Sequence, residues 1–386
     1  MDTILMQKNL QISFLPYLFL GNNKSIDFAE MNVASFNFIS SDRIHDEKLR
    51  KHVIKLLATH RRNGTPINGI GIISFRKSEL FRPLTEQERQ KVDDFRKVLF
   101  LTSVAKSNIN IGPNMGRFMV TSDNFAALYQ NFAVGYNNTA WSSGKIIRMS
   151  DSGYKIGKII FEMPRYIPIT PFQYDQGFLK TLSQLNRKKP RKFRLIMRAT
   201  DSMMNGYSNS DDISFESRIL EQARAFEILL ELPDSGQRKV FKDKIEKYCE
   251  PKVERKIRFK YENRGKHIYE VPPRTRHVMW ADRFYTLRNH IIHGNKITAK
   301  EFFFAGQPHY HLALWFFLVT AKKIINETLG RPIFNDTIRY EDGKFEYDNN
   351  AGNFMAYWEK AGKELSKRIK EQMHISLSKA DKKLYT

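Results

Sequence analysis

The hydrophobic rhythm of the chain changes near residue 200. Before that point, short apolar runs such as "ISFLPYLFL", "INGIGIISF", "GKIIRMS", "YKIGKIIFEM" and "KFRLIMR" are bounded by Gly, Asn or Pro, as strands usually are. At least one clear helix interrupts them. Thr85 and Glu88 read as a capping box, and Val92, Phe95, Val98, Leu99 and Thr102 keep the helical period to about Ser107. Residues 1–200 are therefore expected to form an α+β domain with a mostly antiparallel sheet. The polar stretch "ATDSMMNGYSNSDDIS", residues 199–214, reads as a linker or a long loop.

From Phe215 the period becomes helical. Ile219, Ala223, Phe226 and Leu230 mark a first long helix, ended by Leu232, Pro233 and Gly236. A shorter helix is expected near Lys239–Tyr248, followed by a basic connection. A third helix begins around Trp280 and stops at Gly294. The fourth, about Pro308–Leu329, is apolar nearly all round and so should be central. Four helices make an all-α bundle over 211–330 the natural architecture. Residues 331–386 suggest a turn at "YEDGKFEYDNNAG" and a helix from about Asn353 to Met373, packing on the bundle.

Composition narrows the setting. A length of 386 residues with 41% hydrophobic content suits two packed domains. The one cysteine, Cys249, excludes a disulfide framework and a cysteine-rich zinc module, which points to a reducing compartment such as the cytoplasm. The opening segment lacks a basic start and carries Pro16 inside its apolar run, so it reads poorly as an export signal. The later run Leu312–Val319 is too short for a bilayer, and no membrane partner is expected. The formal charge of +23 attracts phosphate polymers or anionic surfaces, and residues 1–210 hold +15 of it.

The stretch "LRNHIIHG", residues 287–294, carries the most concentrated chemistry. With Arg288 set at zero and about 100° per residue, Phe284, Leu287 and Ile291 form one apolar stripe. Asn289 and His293 fall opposite, and Tyr285 and Ile292 lie between the arginine and the histidine. That outward face is more apolar than a solvated one needs, so a second copy related by a two-fold axis is the simplest cover. Arginine offers a planar donor fork that fits phosphate oxygens, and histidine exchanges protons near neutral pH. Together they suit cleavage of RNA, whose 2′-hydroxyl is an internal nucleophile, and no metal or other cofactor is needed.

An arginine, a polar residue and a histidine five positions after the arginine, followed by glycine late in a helical bundle, resemble the signature of the HEPN superfamily of ribonucleases. The matching residues are Arg288, Asn289, His293 and Gly294, and "ESRILEQARAFEILLEL" is similar to the family's opening helix. The resemblance covers 211–330 and leaves the first 200 residues untouched. It implies a homodimeric bundle, catalysis by Arg288 and His293 with Asn289 orienting one of them or the phosphate, and a 2′,3′-cyclic phosphate product. The layout resembles the Apea-like branch, found in antiphage, abortive-infection and toxin systems, with a sensing domain that answers a phage-derived or nucleic-acid trigger. The competing expectation is a non-catalytic RNA-binding or scaffold protein.

Further contacts to RNA are expected from two basic segments. In "RKKPRKFR", Arg187, Lys188 and Lys189 either track an RNA backbone or belong to a solvated loop. In "RKIRFKYENRGKH", Arg255, Lys256, Arg258 and Lys260 alternate with aromatics that can stack on bases. Glu227 either pairs with a cation of the site or is an exposed carboxylate. His290, His293, His309 and His311 lack the carboxylate companions of a zinc site, and "GIGIIS" lacks the third glycine of a dinucleotide fingerprint.

Overall fold

Alternation along Leu10–Leu15 puts Ile12 and Phe14 on one face of a strand, and their burial seeds the first of two units. The computed structural model describes residues 10–18, 20–21, 24–37, 44–62, 64–67, 69–75, 80–106, 122–132, 138–143, 154–155, 161–162, 172–208, 213–249, 257–263, 267–341 and 344–348. The strand expected at "GKIIRMS" and the helix expected at 353–373 lie outside these residues. The protein is a mixed α/β chain that divides into a sheet unit, made of described residues up to Arg187 with Ser208, and a helical unit made of Lys188–Tyr207 and the described residues from 213 onward.

In chain order the sheet unit holds β1 (Leu10–Leu15), β2 (Ser25–Phe28), β3 (Met31–Asn37), α1 (Glu47–Leu57), β4 (His60–Arg62), β5 (Thr65–Pro66), β6 (Gly69–Ser74), α2 (Glu86–Lys106), β7 (Leu128–Phe132), β8 (Asn138–Ser143), β9 (Tyr154–Lys155), β10 (Phe161–Glu162) and α3 (Gln176–Lys188). Seven strands pair in the order β2-β3-β6-β1-β7-β8-β9, every pairing antiparallel. Ile12, Phe14, Phe36, Ile70 and Ile72 on one face pack with Val53, Leu56 and Leu57 of α1. Tyr129 belongs to the opposite face, where Arg89 of α2 lies 5.3 Å from its ring centre. The capping box forms as read: Thr85 Oγ1 accepts from the Glu88 amide, and the Thr85 amide donates to Glu88 at 2.9 Å.

The helical unit contains α4 (Pro190–Gly206), α5 (Phe215–Leu229), α6 (Gln237–Cys249), β11 (Ile257–Asn263), β12 (His267–Arg274), α7 (Arg276–Ile292), β13 (Phe303–Phe304), β14 (Gln307–Pro308), α8 (His309–Leu329), β15 (Thr337–Glu341) and β16 (Lys344–Asp348). Three expectations need correction. "KFRLIMR" is helix rather than strand, because Phe193, Ile196, Met197, Thr200, Met203 and Met204 recur at helical spacing and all are buried. The supposed linker at 199–214 is helical as far as Gly206 for the same reason. The unit is also not all-α: it carries three two-stranded antiparallel pairs, β11-β12, β13-β14 and β15-β16.

α8 is buried from Leu312 through Lys322 and forms the axis of the helical unit. Trp280 of α7 stacks on Phe316 at 3.9 Å, and Phe226 of α5 meets Trp280, Phe284 and Phe317 edge-on. Each such ring buries enough apolar surface to contribute about 1.5–3 kcal/mol. The β15-β16 hairpin is tied to α8 by a buried polar set, in which Lys322 Nζ donates to Asp336 at 2.7 Å and the Tyr347 hydroxyl donates to the same carboxylate oxygen at 2.7 Å.

Candidate functional site

Assigning α4 to the helical unit changes where the positive charge resides. Residues 1–187 carry a formal +10, and the remaining +13 of the total +23 belongs to residues 188–386. Lys188, Lys189, Arg191, Lys192, Arg194 and Arg198 lie before residue 210 but in the helical unit, so the +15 of residues 1–210 is shared between the two units.

α7 is held at both ends by its own sequence. Thr275 caps it, accepting from the Val278 amide at 3.4 Å. At the far end Gly294 adopts φ +64°, so its amide donates to Ile291 O at 3.1 Å and the Asn295 amide to His290 O at 2.9 Å. These are the two bonds of a Schellman closure, and they fix the exit of the helix at His293. The chain then folds back: Glu301, in a capping box with Thr298, places an oxygen 3.3 Å from His290 Nδ1. Burial works against the Glu301 carboxylate, but bonds from the Thr298 amide and hydroxyl and from His290 hold it below the usual range. His290 thus faces the segment that follows the helix exit.

Arg288 is turned toward α5. Its Nη2 donates to Glu227 at 2.8 Å and its Nη1 to the neighbouring Asn289 side chain at 3.1 Å, while the guanidinium lies 5.2 Å from the Tyr285 ring centre. Tyr285 Oη lies 2.9 Å from the same Glu227 oxygen and 2.6 Å from Gln237 Oε1. One hydroxyl proton cannot serve both, so the network closes when Tyr285 donates to Glu227 and Gln237 presents its amide nitrogen. Burial and the adjacent Glu227 charge raise the Tyr285 pKa, so the hydroxyl stays protonated as a donor. Glu227 is therefore the cation partner rather than the exposed carboxylate of the two alternatives.

Two further placements differ from the sequence reading. Tyr285 is buried at 1% exposure among α5 and α6 rather than lying on the outward face, which removes much of the apolar surface that called for a second copy. Ile292, 50% exposed, is what remains. His293 is exposed, and among the described residues its ring meets no hydrogen-bond partner. The structure thus gathers Arg288, Asn289, Glu227, Tyr285 and Gln237, and leaves His293 about 7.5 Å further along the helix axis. Sequence reasoning missed Gln237, whose only signal is its place at the start of α6.

Of the expected RNA contacts, Arg187 and Lys188 are exposed in the last turn of α3, and Lys189 is the residue before α4. Their segment is a helix-to-helix junction, not the open loop of the second alternative. Arg258 and Lys260 occupy alternate positions of β11, with Lys260 opposite Glu270, while Arg255 and Lys256 lie outside the described residues. The described part of the basic connection is thus a strand in an antiparallel pair. His309 and His311 are core residues: burial and the nearby charge of Arg283 or Arg218 push each down to about 3. Burial pushes the Cys249 thiol up to about 12. Among the described residues there is no group of three or more His, Cys, Asp or Glu that could hold a metal ion, and no helix long and apolar enough to cross a membrane.

Comparison with known proteins finds no matching family model, no matching curated protein and no matching solved structure.

Proposed function

We propose that this protein is a metal-independent endoribonuclease acting on single-stranded RNA, of the HEPN type and the Apea-like branch. The observation that carries the proposal is the tether of Arg288. Glu227 and Asn289 occupy two of the five guanidinium N–H groups, and among the described residues the other three have no hydrogen-bond partner. A donor fork so held is preorganised for phosphate oxygens, and an exposed imidazole follows it at the end of the same helix.

In this reading the 2′-oxygen attacks the adjacent phosphorus while the bond to the 5′-oxygen breaks, giving a 2′,3′-cyclic phosphate. One imidazole accepts the 2′-hydroxyl proton, and another, protonated, donates to the departing 5′-oxygen. Arg288 stabilises charge on the non-bridging oxygens. Two imidazoles require two copies of His293, so the active form is a homodimer. The setting is the cytoplasm, in antiphage defence by abortive infection or in a toxin system, with the sheet unit answering a phage-derived or nucleic-acid trigger.

One observation favours a second reading, a non-catalytic RNA-binding or scaffold protein: the Arg288–Glu227 pair, with both side chains about one-fifth exposed, is also what a structural ion pair looks like. Incubation of labelled single-stranded RNA in EDTA separates the two. The parent protein cleaves, while His293→Ala loses about 10²–10⁴-fold, the usual range for a proton-transfer group, and Arg288→Ala loses about 10²–10³-fold, as for a group that stabilises developing charge. RNA bound but not cut by the parent supports the second reading, and equal cleavage by all three proteins refutes the assigned site.

A further inference from the structure

A second cluster lies at the other end of α5. Phe215, its first residue, is 56% exposed, although the helix start is already satisfied by Ser214, whose hydroxyl accepts from the Ser217 amide at 3.2 Å. The Phe215 ring lies 5.9 Å from that of Phe302 and 6.0 Å from that of Tyr310. The Arg218 guanidinium lies 5.8 Å from the Phe215 ring centre and 5.9 Å from that of Tyr310. Three aromatic rings and a cation are thus gathered where folding alone gains little from exposing a phenylalanine.

The cluster is coupled to the α7 site by covalent and polar links. Phe302 directly follows Glu301, whose carboxylate is the partner of His290. Tyr310 is held by its backbone, where its carbonyl accepts from Gln222 Nε2 at 2.7 Å. Phe215 stands twelve residues before Glu227, about 18 Å along α5. The chain from Arg288 through His290 and Glu301 to Phe302 leads back toward that end. A strand of RNA held at Arg288 could reach it within a few nucleotides.

We propose that Phe215, Phe302 and Tyr310, with Arg218, form a stacking subsite for an unpaired base of single-stranded RNA flanking the cleaved phosphate. The rings supply the π-face on which bases stack, and Arg218 supplies attraction for the neighbouring phosphate and a cation–π contact. Size argues for this occupant over a protein. Phe215 is 56% exposed and Phe302 and Tyr310 are half-buried, so of the about 150–250 Å² that each ring carries the three together offer on the order of 300 Å², short of the roughly 500 Å² per partner that a stable protein interface needs. The charge of +13 on residues 188–386 fits a polyanion. The inference rests on the RNA reading above, although it does not require cleavage.

The test uses the full chain carrying His293→Ala, so that binding is read without turnover. A fluorescein-labelled oligouridylate and an abasic strand of equal length are titrated against it and against the same chain with Phe215→Ala or Phe215→Trp added. Loss of one stacked base weakens oligouridylate binding about 5- to 150-fold in the alanine variant. Tryptophan restores it, and the abasic strand binds all three proteins alike. Equal binding of oligouridylate by all three, an equal loss on the abasic strand, or a loss that tracks a change in oligomeric state would each overturn the subsite. Base-dependent binding without cleavage by the parent would retain the subsite and remove the nuclease assignment. Cleavage that needs Arg288 but ignores Phe215 would do the reverse.

Discussion

The sheet unit and the helical unit bury different things. Around β1, β3 and β6 the buried polar side chains are neutral, Gln11, Ser13, Asn32 and Ser74 among mostly apolar neighbours, and among the described residues of that unit His60 and Lys97 are the buried side chains of the His, Lys, Arg, Asp and Glu types. The helical unit buries Arg276, His277, His309, His311, Lys322 and Asp336 around its central helix. Burying a polar or charged group is costly unless it is paired, so the helical unit depends on specific partners where the sheet unit depends on area. Its ordering is correspondingly local: a lost partner should loosen one hairpin or helix end, whereas a lost apolar contact in the sheet unit is shared across a layer.

The sharpest way to break this contrast is Lys322→Met. With Lys322 and Asp336 side chains 2% and 4% exposed, the change strands a carboxylate that, among the described residues, only Tyr347 still serves, a loss of about 3–5 kcal/mol. Hydrogen exchange should rise in β15 and β16 while β1, β3 and β6 keep their protection, and adding Asp336→Leu should recover most of the loss. Uniform loosening of both units would contradict the distinction. The next effect is acid. Burial lowers His309 and His311 to about 3, and His60 in the sheet unit to about 4, with a smaller lowering at His52. Below the ordinary histidine value near 6.5 the unfolded chain therefore binds more protons than the folded one, and stability falls as pH falls until the folded values are reached. Each such histidine contributes about 1.4 kcal/mol per pH unit in that window. Between pH 6 and 5 the helical unit should lose protection more steeply than the sheet unit, and equal slopes would sink the claim.

Legibility in the sequence followed the same division. Helices α2, α5, α6, α7 and α8 were readable because each carries an apolar stripe longer than two turns, and Gly294 and Gly330 mark their ends with left-handed backbone. α4 was not, because seven residues of "KFRLIMR" suit a buried strand as well as a helix, and the extension through Met203 and Met204 is masked by Thr200, Asp201, Ser202 and Asn205. At the site, Arg288, Asn289 and His293 are chosen from their spacing together with the family resemblance, and the structure brings Arg288 and Asn289 into contact while His293 stands apart. The helical wheel placed Tyr285 outward because it knows one helix; the covering surface belongs to α5 and α6, which no period in α7 reports. Pairings between distant segments, Glu227 with Arg288 or Lys322 with Asp336, leave no local trace for the same reason.

The smallest effect isolates the helix exit. Gly64 in the sheet unit, Gly330 at the end of α8 and Gly294 at the end of α7 have φ of +75°, +67° and +64°, and a β-carbon on any of them would meet no atom within 4 Å. Alanine at each therefore introduces the same backbone cost, about 1–2 kcal/mol, with no steric clash to separate them. Denaturant titration should find the three variants comparably destabilised. Cleavage should not treat them alike. Gly64→Ala and Gly330→Ala leave the segment Arg288–His293 untouched, whereas Gly294→Ala strains the closure that sets where His293 leaves the helix. A displacement of about 1 Å at a reacting group can cost on the order of 10²-fold in rate. A fall in RNA cleavage confined to Gly294→Ala would tie catalysis to the geometry of that exit. Unchanged cleavage in all three would mean that His293 is not positioned by the end of α7, and the pairing of arginine and histidine along one helix would lose its mechanical basis.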